Sequence, residues 1–346
     1  MRLGARLFAL LLASTPALAP ALAQEARDPA FAAQLGTSCK ERYETYLLGP
    51  YPRVFALSPD RTRCASYAGG GGREPLEALA LKSCGPTCTI VKRSPPIPPE
   101  AEFAPAEMFP AERDPTSRHL GPEKAVGALI WSPGSTAQNV IPSRFSTAPF
   151  VRPFNEAKWD VWRVDRTGPG EQTRRGGVLA LNRAIEKVKA AGYRRVILAG
   201  QSAGAFLSIY LGARRTDIEA VIATAPAVSG DLSEKKAADM IKALKEFDEL
   251  FAVRRNPRTR IAVALFSADE YEPSALQRAV LMKRRADEMG WPILLIDRPE
   301  GIYGHYAGQQ VPFALRYRDC LLQFVDLPAL DGGVHDCAQI TRQRRN

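Results

Sequence analysis

The chain has 346 residues, 45% hydrophobic and 24% charged, ordinary fractions that allow a full core in one large domain or two unequal ones. Its formal charge is +10, with Lys and Arg spread along the sequence rather than massed, so a nucleic-acid-binding module is excluded. The surplus reads as a solvated basic surface, the other reading being attraction to an anionic envelope or an acidic substrate.

Residues 1–23 read as a secretory signal: Arg2 and Arg6 give the positive start, Leu7 to Ala13 the apolar run, and Ala21-Leu22-Ala23 the cleavage pattern before Gln24. The run is too short for a membrane anchor, and Pro16 and Pro20 interrupt it. No cysteine follows it that would mark a lipoprotein, and no later window resembles a membrane span. Export to a periplasmic or extracellular compartment is therefore expected, with a mature charge of +8 once Arg2 and Arg6 are removed.

Six cysteines in an oxidising compartment favour disulfides over metal ligation. Local spacing suggests Cys84–Cys88 and Cys320–Cys337, leaving Cys39–Cys64 by elimination; free buried thiols are the alternative. The histidines are His119, His305 and His335, and only His335-Asp336-Cys337 has anything like ligand spacing. No metal and no cofactor are expected.

After a loose leader, residues 24–93 form a small disulfide-containing module. Arg53 to Ser58 alternates like a strand, Ser58-Pro59-Asp60 turns it, and Arg63 to Tyr67 returns. Glu74-Pro75 opens a helix that stops at Gly85, and Thr89-Ile90-Val91 is a strand, giving β-β-α-β. The module resembles small secreted units in which a strand ending near Ser-Pro-Asp leads into an Ala-Leu-rich helix and a cysteine pair. Residues 94–122 carry prolines at 95, 96, 98, 99, 105, 110, 115 and 122, so they read as a semi-rigid linker or surface belt.

From 123 to 346 strands and helices alternate, the pattern of a mostly parallel sheet covered on both faces. Strands are expected at Ala125 to Trp131, Trp159 to Val164, Arg195 to Ala199, Ala220 to Ala225, Ile261 to Ser267 and Pro292 to Asp297. Helices are expected from about Gly177 to Ala191, Ala203 to Arg214, Ser233 to Phe251, Ser274 to Met289 and Gln310 to Val325. Only one helix fits between the strands at 220–225 and 261–267, so a large lid is not expected there. Trp131, Phe145, Phe150 and Phe154 belong either to the core or to a cleft wall, with core the commoner fate.

Gly200-Gln201-Ser202-Ala203-Gly204 sits where a strand meets a helix. A serine there must adopt a strained turn that needs small residues two positions either side; the turn lifts its hydroxyl above the sheet. The arrangement resembles the nucleophile elbow of the α/β-hydrolase superfamily. That resemblance implies that Ser202 is the nucleophile of an exported serine hydrolase and that the Ala203 N–H helps hold an oxyanion. It also implies an acid and a histidine in that chain order. Asp269, after strand 261–267, matches the acid, with Glu270 as its rival. His305, in Gly301-Ile302-Tyr303-Gly304-His305-Tyr306, matches the base. His119 and His335 are left as structural or exposed.

The loop Trp131-Ser132-Pro133-Gly134-Ser135-Thr136-Ala137 is similar to the Ser-Pro-Gly-aromatic-Thr-Ala loop of cutinase-like polyester hydrolases. In those enzymes the aromatic residue donates a backbone N–H. Ser135 holds that place here, so it is the second expected oxyanion donor, with Gly134 next and no aromatic clamp. The resemblance implies hydrolysis of a carboxylic ester or similar acyl bond in a small-molecule substrate. A peptidase or acyltransferase using the same residues, or a binding protein on a retired scaffold, is the alternative. The oligomeric state stays open.

Overall fold

The computed structural model describes residues 28–48, 53–68, 75–93, 111–114, 116–135, 147–164, 166, 173–227, 237–272 and 274–343. The expected signal at 1–23, Phe145 and most of the proline belt lie outside these residues.

The N-terminal unit begins with helices α1 (Pro29–Ala33) and α2 (Thr37–Leu48), neither of which the sequence reading anticipated. Asp28 caps α1 through a hydrogen bond from the Phe31 N–H, 2.9 Å. Strands β1 (Arg53–Leu57) and β2 (Cys64–Ala68), helix α3 (Leu76–Cys84) and strand β3 (Thr89–Arg93) then supply the expected β-β-α-β order. They make an antiparallel sheet, β2-β1-β3. Alternation along β1 sends Phe55 and Leu57 to α2, where Tyr43 and Tyr46 enclose them, and sends Val54 and Ala56 to α3. Cys39–Cys64 ties α2 to β2, and Cys84–Cys88 closes the end of α3.

The main unit is an eight-stranded sheet in the order β11-β10-β9-β8-β7-β5-β6-β4. Its elements, in chain order, are β4 (Ala111–Arg113), β5 (Gly127–Ser132), α4 (Val151–Glu156), β6 (Trp159–Val164), α5 (Arg174–Ala190), β7 (Val196–Gln201), α6 (Ala203–Arg214), β8 (Ala220–Thr224), α7 (Ala237–Leu250), β9 (Arg260–Leu265), α8 (Ala275–Met289), β10 (Pro292–Asp297), α9 (Val311–Asp326), β11 (Gly333–His335) and α10 (Cys337–Gln343). All neighbours run parallel except β4, which pairs antiparallel with β6.

Strands covered on both faces read as continuous apolar runs, and each of β5, β6, β7 and β8 is buried throughout. Successive side chains divide between two cores. Ile130, Val196 and Leu198 join Leu181, Phe206, Phe247 and Met282 on one face. Leu129, Ile197 and Ala199 join Phe150, Phe154, Phe313 and Phe324 on the other. Trp131, Phe150 and Phe154 are thus core residues, at most 3% exposed, rather than cleft walls.

One expected boundary needs correction. The linker reading ran to residue 122, but residues 111–113 are an edge strand. Three residues free of proline suffice for an edge, which needs a ladder on one side only. The chain beyond is fastened down by buried side chains. Asp160 accepts from the N–H groups of Leu120 and Gly121, 2.8 Å each, and Asn155 accepts from the Arg118 N–H, 3.0 Å. The N-terminal unit is also joined to the main one. Leu48 of α2 enters the second core, and Arg318 of α9 pairs with Glu44, 3.1 Å. The third disulfide, Cys320–Cys337, links α9 to α10.

Candidate active site

Ser202 stands between β7 and α6 with φ 54° and ψ −124°, a conformation that is strained for any residue with a side chain. Close backbone packing over-determines it. A Cβ on Gly200 would lie 2.5 Å from the Gly204 carbonyl carbon, and a Cβ on Gly204 would lie 2.0 Å from the Ser132 oxygen. Glycine at both positions lets strand, loop and helix meet. The Ser202 N–H donates to the Thr224 carbonyl, 3.0 Å, and the Ser202 carbonyl accepts from Phe206 and Ala227, 3.0 and 3.2 Å.

Beyond the C-terminal ends of β9 and β10, two loops converge on this serine. The Ser202 hydroxyl lies 2.7 Å from His305 Nε2, and His305 Nδ1 lies 2.9 Å from Asp269 Oδ1. A carboxylate only accepts, so Nδ1 carries the proton and Nε2 is left to accept from the serine. Asp269 Oδ1 also accepts the N–H groups of Tyr271 and Glu272, 3.0 Å each, which fixes the carboxylate. Asp269 and His305 are 4% and 2% exposed. Glu270, the rival acid, points outward as an exposed residue.

The histidine loop is held at both ends. Gly304 takes φ 85°, and its N–H donates to Ser267, 2.9 Å. Gly308 packs so closely on Thr224 that a Cβ there would come within 2.4 Å. Between them Gln201 donates its side-chain amide to the His305 carbonyl, 3.2 Å. Tyr271 lies against the imidazole with ring centres 4.3 Å apart. Partial burial and the Tyr271 hydroxyl push the Tyr306 phenol above its ordinary value.

The loop after β5 faces the same serine. A Cβ built on Gly134 would stand 3.6 Å from the Ser202 hydroxyl oxygen, and Ser135 follows as an exposed residue. Arg166, 1% exposed, donates to the Pro133 carbonyl at 2.5 Å and so anchors this loop. Ala203 is the first residue of α6, where an N–H has no partner within the helix.

Behind Asp269 lies a buried ion pair of Arg278 with Glu272, in which Arg278 also donates to the Pro226 carbonyl, 2.6 Å. Burial lowers the Arg278 pKa, and Glu272 and Asp269 oppose that shift. Gln201, Arg166 and this pair escaped the sequence reading. Gln201 sat inside the motif and was the one member with a readable signal, a long polar side chain at the end of a fully buried strand.

The other histidines lie elsewhere. His119 Nε2 meets the Asp114 carbonyl, 3.3 Å, and burial depresses its pKa; His335 Nε2 meets the Asp331 carbonyl, 2.9 Å. Among the described residues, no group of three or more His, Cys, Asp or Glu is placed to hold a metal ion. Among them, too, no helix is long and apolar enough to cross a membrane.

Among solved structures the chain is similar to a truncated carbohydrate esterase from gut microbiota, at 17% identity over 59% of this chain and 87% of that one, TM-score 0.44. It is also similar to the monoacylglycerol lipase of Paleococcus ferrophilus, at 11% identity over 58% and 95%, TM-score 0.42. A third is Est1E from Butyrivibrio proteoclasticus, at 15% identity over 60% and 90%, TM-score 0.42. No curated protein matches the sequence. The family model described as serine aminopeptidase, S33 matches residues 143–316, a span of just over half the chain that includes Ser202, Asp269 and His305. The chain belongs to this family of α/β hydrolases.

Proposed function

We propose that the protein is an exported serine hydrolase that cleaves a carboxylic ester or similar acyl bond of a small molecule. The observation that carries this reading is the unbroken hydrogen-bonded series from Ser202 through His305 to Asp269, set on a strained strand–helix turn.

His305 Nε2 takes the Ser202 hydroxyl proton as the oxygen attacks the acyl carbon. Asp269 holds the imidazole in the required tautomer and stabilises the imidazolium. The developing oxyanion is held by the Ala203 N–H at the start of α6 and by the Ser135 N–H of the loop that Gly134 brings against Ser202. The intermediate collapses as His305 hands its proton to the leaving oxygen, which departs as an alcohol. Water, deprotonated by His305, then attacks the acyl-enzyme, and release of the acid regenerates Ser202. Three disulfide pairs suit the oxidising compartment to which the first 23 residues would direct the chain.

Covalent labelling by a fluorophosphonate probe, compared between the parent and Ser202→Ala, tests the reading. Labelling and turnover of short-chain nitrophenyl esters should both vanish in the variant. A parent that shows neither is not this enzyme, and the scaffold would then be a binding protein. The family's description favours one second reading, release of an N-terminal amino acid by the same residues. Faster turnover of aminoacyl nitroanilides than of the matched esters would select it.

A further inference from the structure

His305 is 2% exposed, yet the aromatic ring next to it in the chain is open to solvent. Tyr306 keeps 54% of its surface, although it meets the imidazole edge-on with ring centres 5.4 Å apart and an interplanar angle of 81°. Tyr271 backs both rings. It lies 4.3 Å from His305, and its centre is 6.4 Å from that of Tyr306, at 78°. The imidazole is already covered by Tyr271 and held by Asp269, and Gln201 fixes the His305 backbone carbonyl, so an open Tyr306 is not needed to seat it. A large ring left half exposed at the edge of a reactive centre forgoes apolar burial, and its free area is available to something that binds there.

The direction of proton transfer says what that is. His305 Nε2, 2.7 Å from the Ser202 hydroxyl, must deliver its proton to the leaving oxygen. The departing alcohol must therefore come within reach of His305 Nε2, and Tyr306 is the exposed ring beside that imidazole. The acyl group remains on Ser202. Resting on the acyl-transfer reading, we infer that Tyr306, backed by Tyr271, is the leaving-group subsite and selects esters of alcohols that carry a flat ring. An offset or edge contact with such a ring requires the open tyrosine area that packing leaves unused.

Benzyl acetate and n-butyl acetate test this, because they form the same acyl-enzyme and differ only in the alcohol. The ratio of their kcat/KM values is measured in the parent, in Tyr306→Ala and in Tyr306→Phe. In Tyr306→Ala the benzyl-to-butyl ratio should fall by about three- to tenfold, the range expected of one aromatic contact, while Tyr306→Phe keeps the parental ratio. An unchanged ratio in Tyr306→Ala overturns the inference. So does a loss in Tyr306→Phe as large as in Tyr306→Ala, which would assign the effect to the hydroxyl. A parent that labels at Ser202 with fluorophosphonate but hydrolyses neither acetate also overturns it, and leaves the serine nucleophile standing. Absence of labelling as well is the separate failure of the hydrolase reading.

Discussion

The side-chain amide of Gln201 donates to the backbone carbonyl of His305 from 104 positions earlier in the chain. The residue immediately before the elbow serine thus fixes the distance of the histidine that faces it. Both groups are buried, so the bond is not exchanged for one to water when it breaks.

Replacing Gln201 by Leu should therefore loosen His305 and leave its carbonyl unsatisfied. A cost of about 1–3 kcal/mol for such a group corresponds to roughly a 5- to 150-fold lower rate if it falls on the active geometry. The fluorophosphonate labelling rate, followed against pH, checks it. A positional role lowers the plateau, and Gln201→Glu, which cannot donate from a carboxylate, should not restore it.

Asp269→Asn should keep much of the local turn, because the amide oxygen can still accept from Tyr271 and Glu272. The same oxygen position faces His305 Nδ1, so the neutral amide keeps that hydrogen bond but loses the charge that stabilises the imidazolium. In a serine-histidine-aspartate site that loss is about 10⁴ in kcat. Ester turnover beside an unfolding midpoint separates the two effects, and a variant with near-parental turnover would remove Asp269 from the mechanism.

Gly204→Ala places a methyl group 2.0 Å from the Ser132 carbonyl oxygen. Backbone cannot yield there without moving both the elbow and the 132–135 loop. A loss of about 1–3 kcal/mol or more is expected, with near-complete loss of labelling. Urea denaturation of this variant beside Gly301→Ala, where no atom lies within 4 Å but φ is +77°, distinguishes collision from backbone strain.

Asp217 gives a prediction away from the site. Hydrogen bonds from Arg215 and Lys189 outweigh partial burial and lower its pKa from 3.8 to about 2. Because the folded value lies below the unfolded one, its stabilisation is complete above about pH 4 and fades as pH falls toward 2. Asp217→Asn should flatten the dependence of the unfolding midpoint on pH between 4 and 2. The carboxylate keeps 26% of its side-chain surface in solvent, so the change will be small and reduced by salt.

Much of this architecture was legible because its signals are local. Continuous apolar runs marked β5 to β10, since a strand buried on both faces needs no polar alternation. Helix α2 was not legible. Its buried tyrosines and leucines are interrupted by Lys40, Glu41, Arg42 and Glu44, and only contact with β1 and α9 decides which side is inside. Strand β4 was hidden for a different reason. Three residues carry no periodicity, and the neighbouring prolines argue for a linker until β6 supplies a partner.

The sequence by itself determined that a serine would stand on a strained turn between strand and helix, because the glycines at 200 and 204 allow little else there. It also set the chain order in which an acid and a histidine would arrive. The preceding strand put Asp269 ahead of Glu270, but only tertiary structure decided which of the two adjacent carboxylates the turn buries against His305. It alone brought in Gln201 and Arg166, whose partners lie far off in the chain. It also left Tyr306 open beside a buried imidazole. Hydrogen bonds and exposure depend on distances between loops, and those distances exist only once the sheet has assembled and aligned its strand ends.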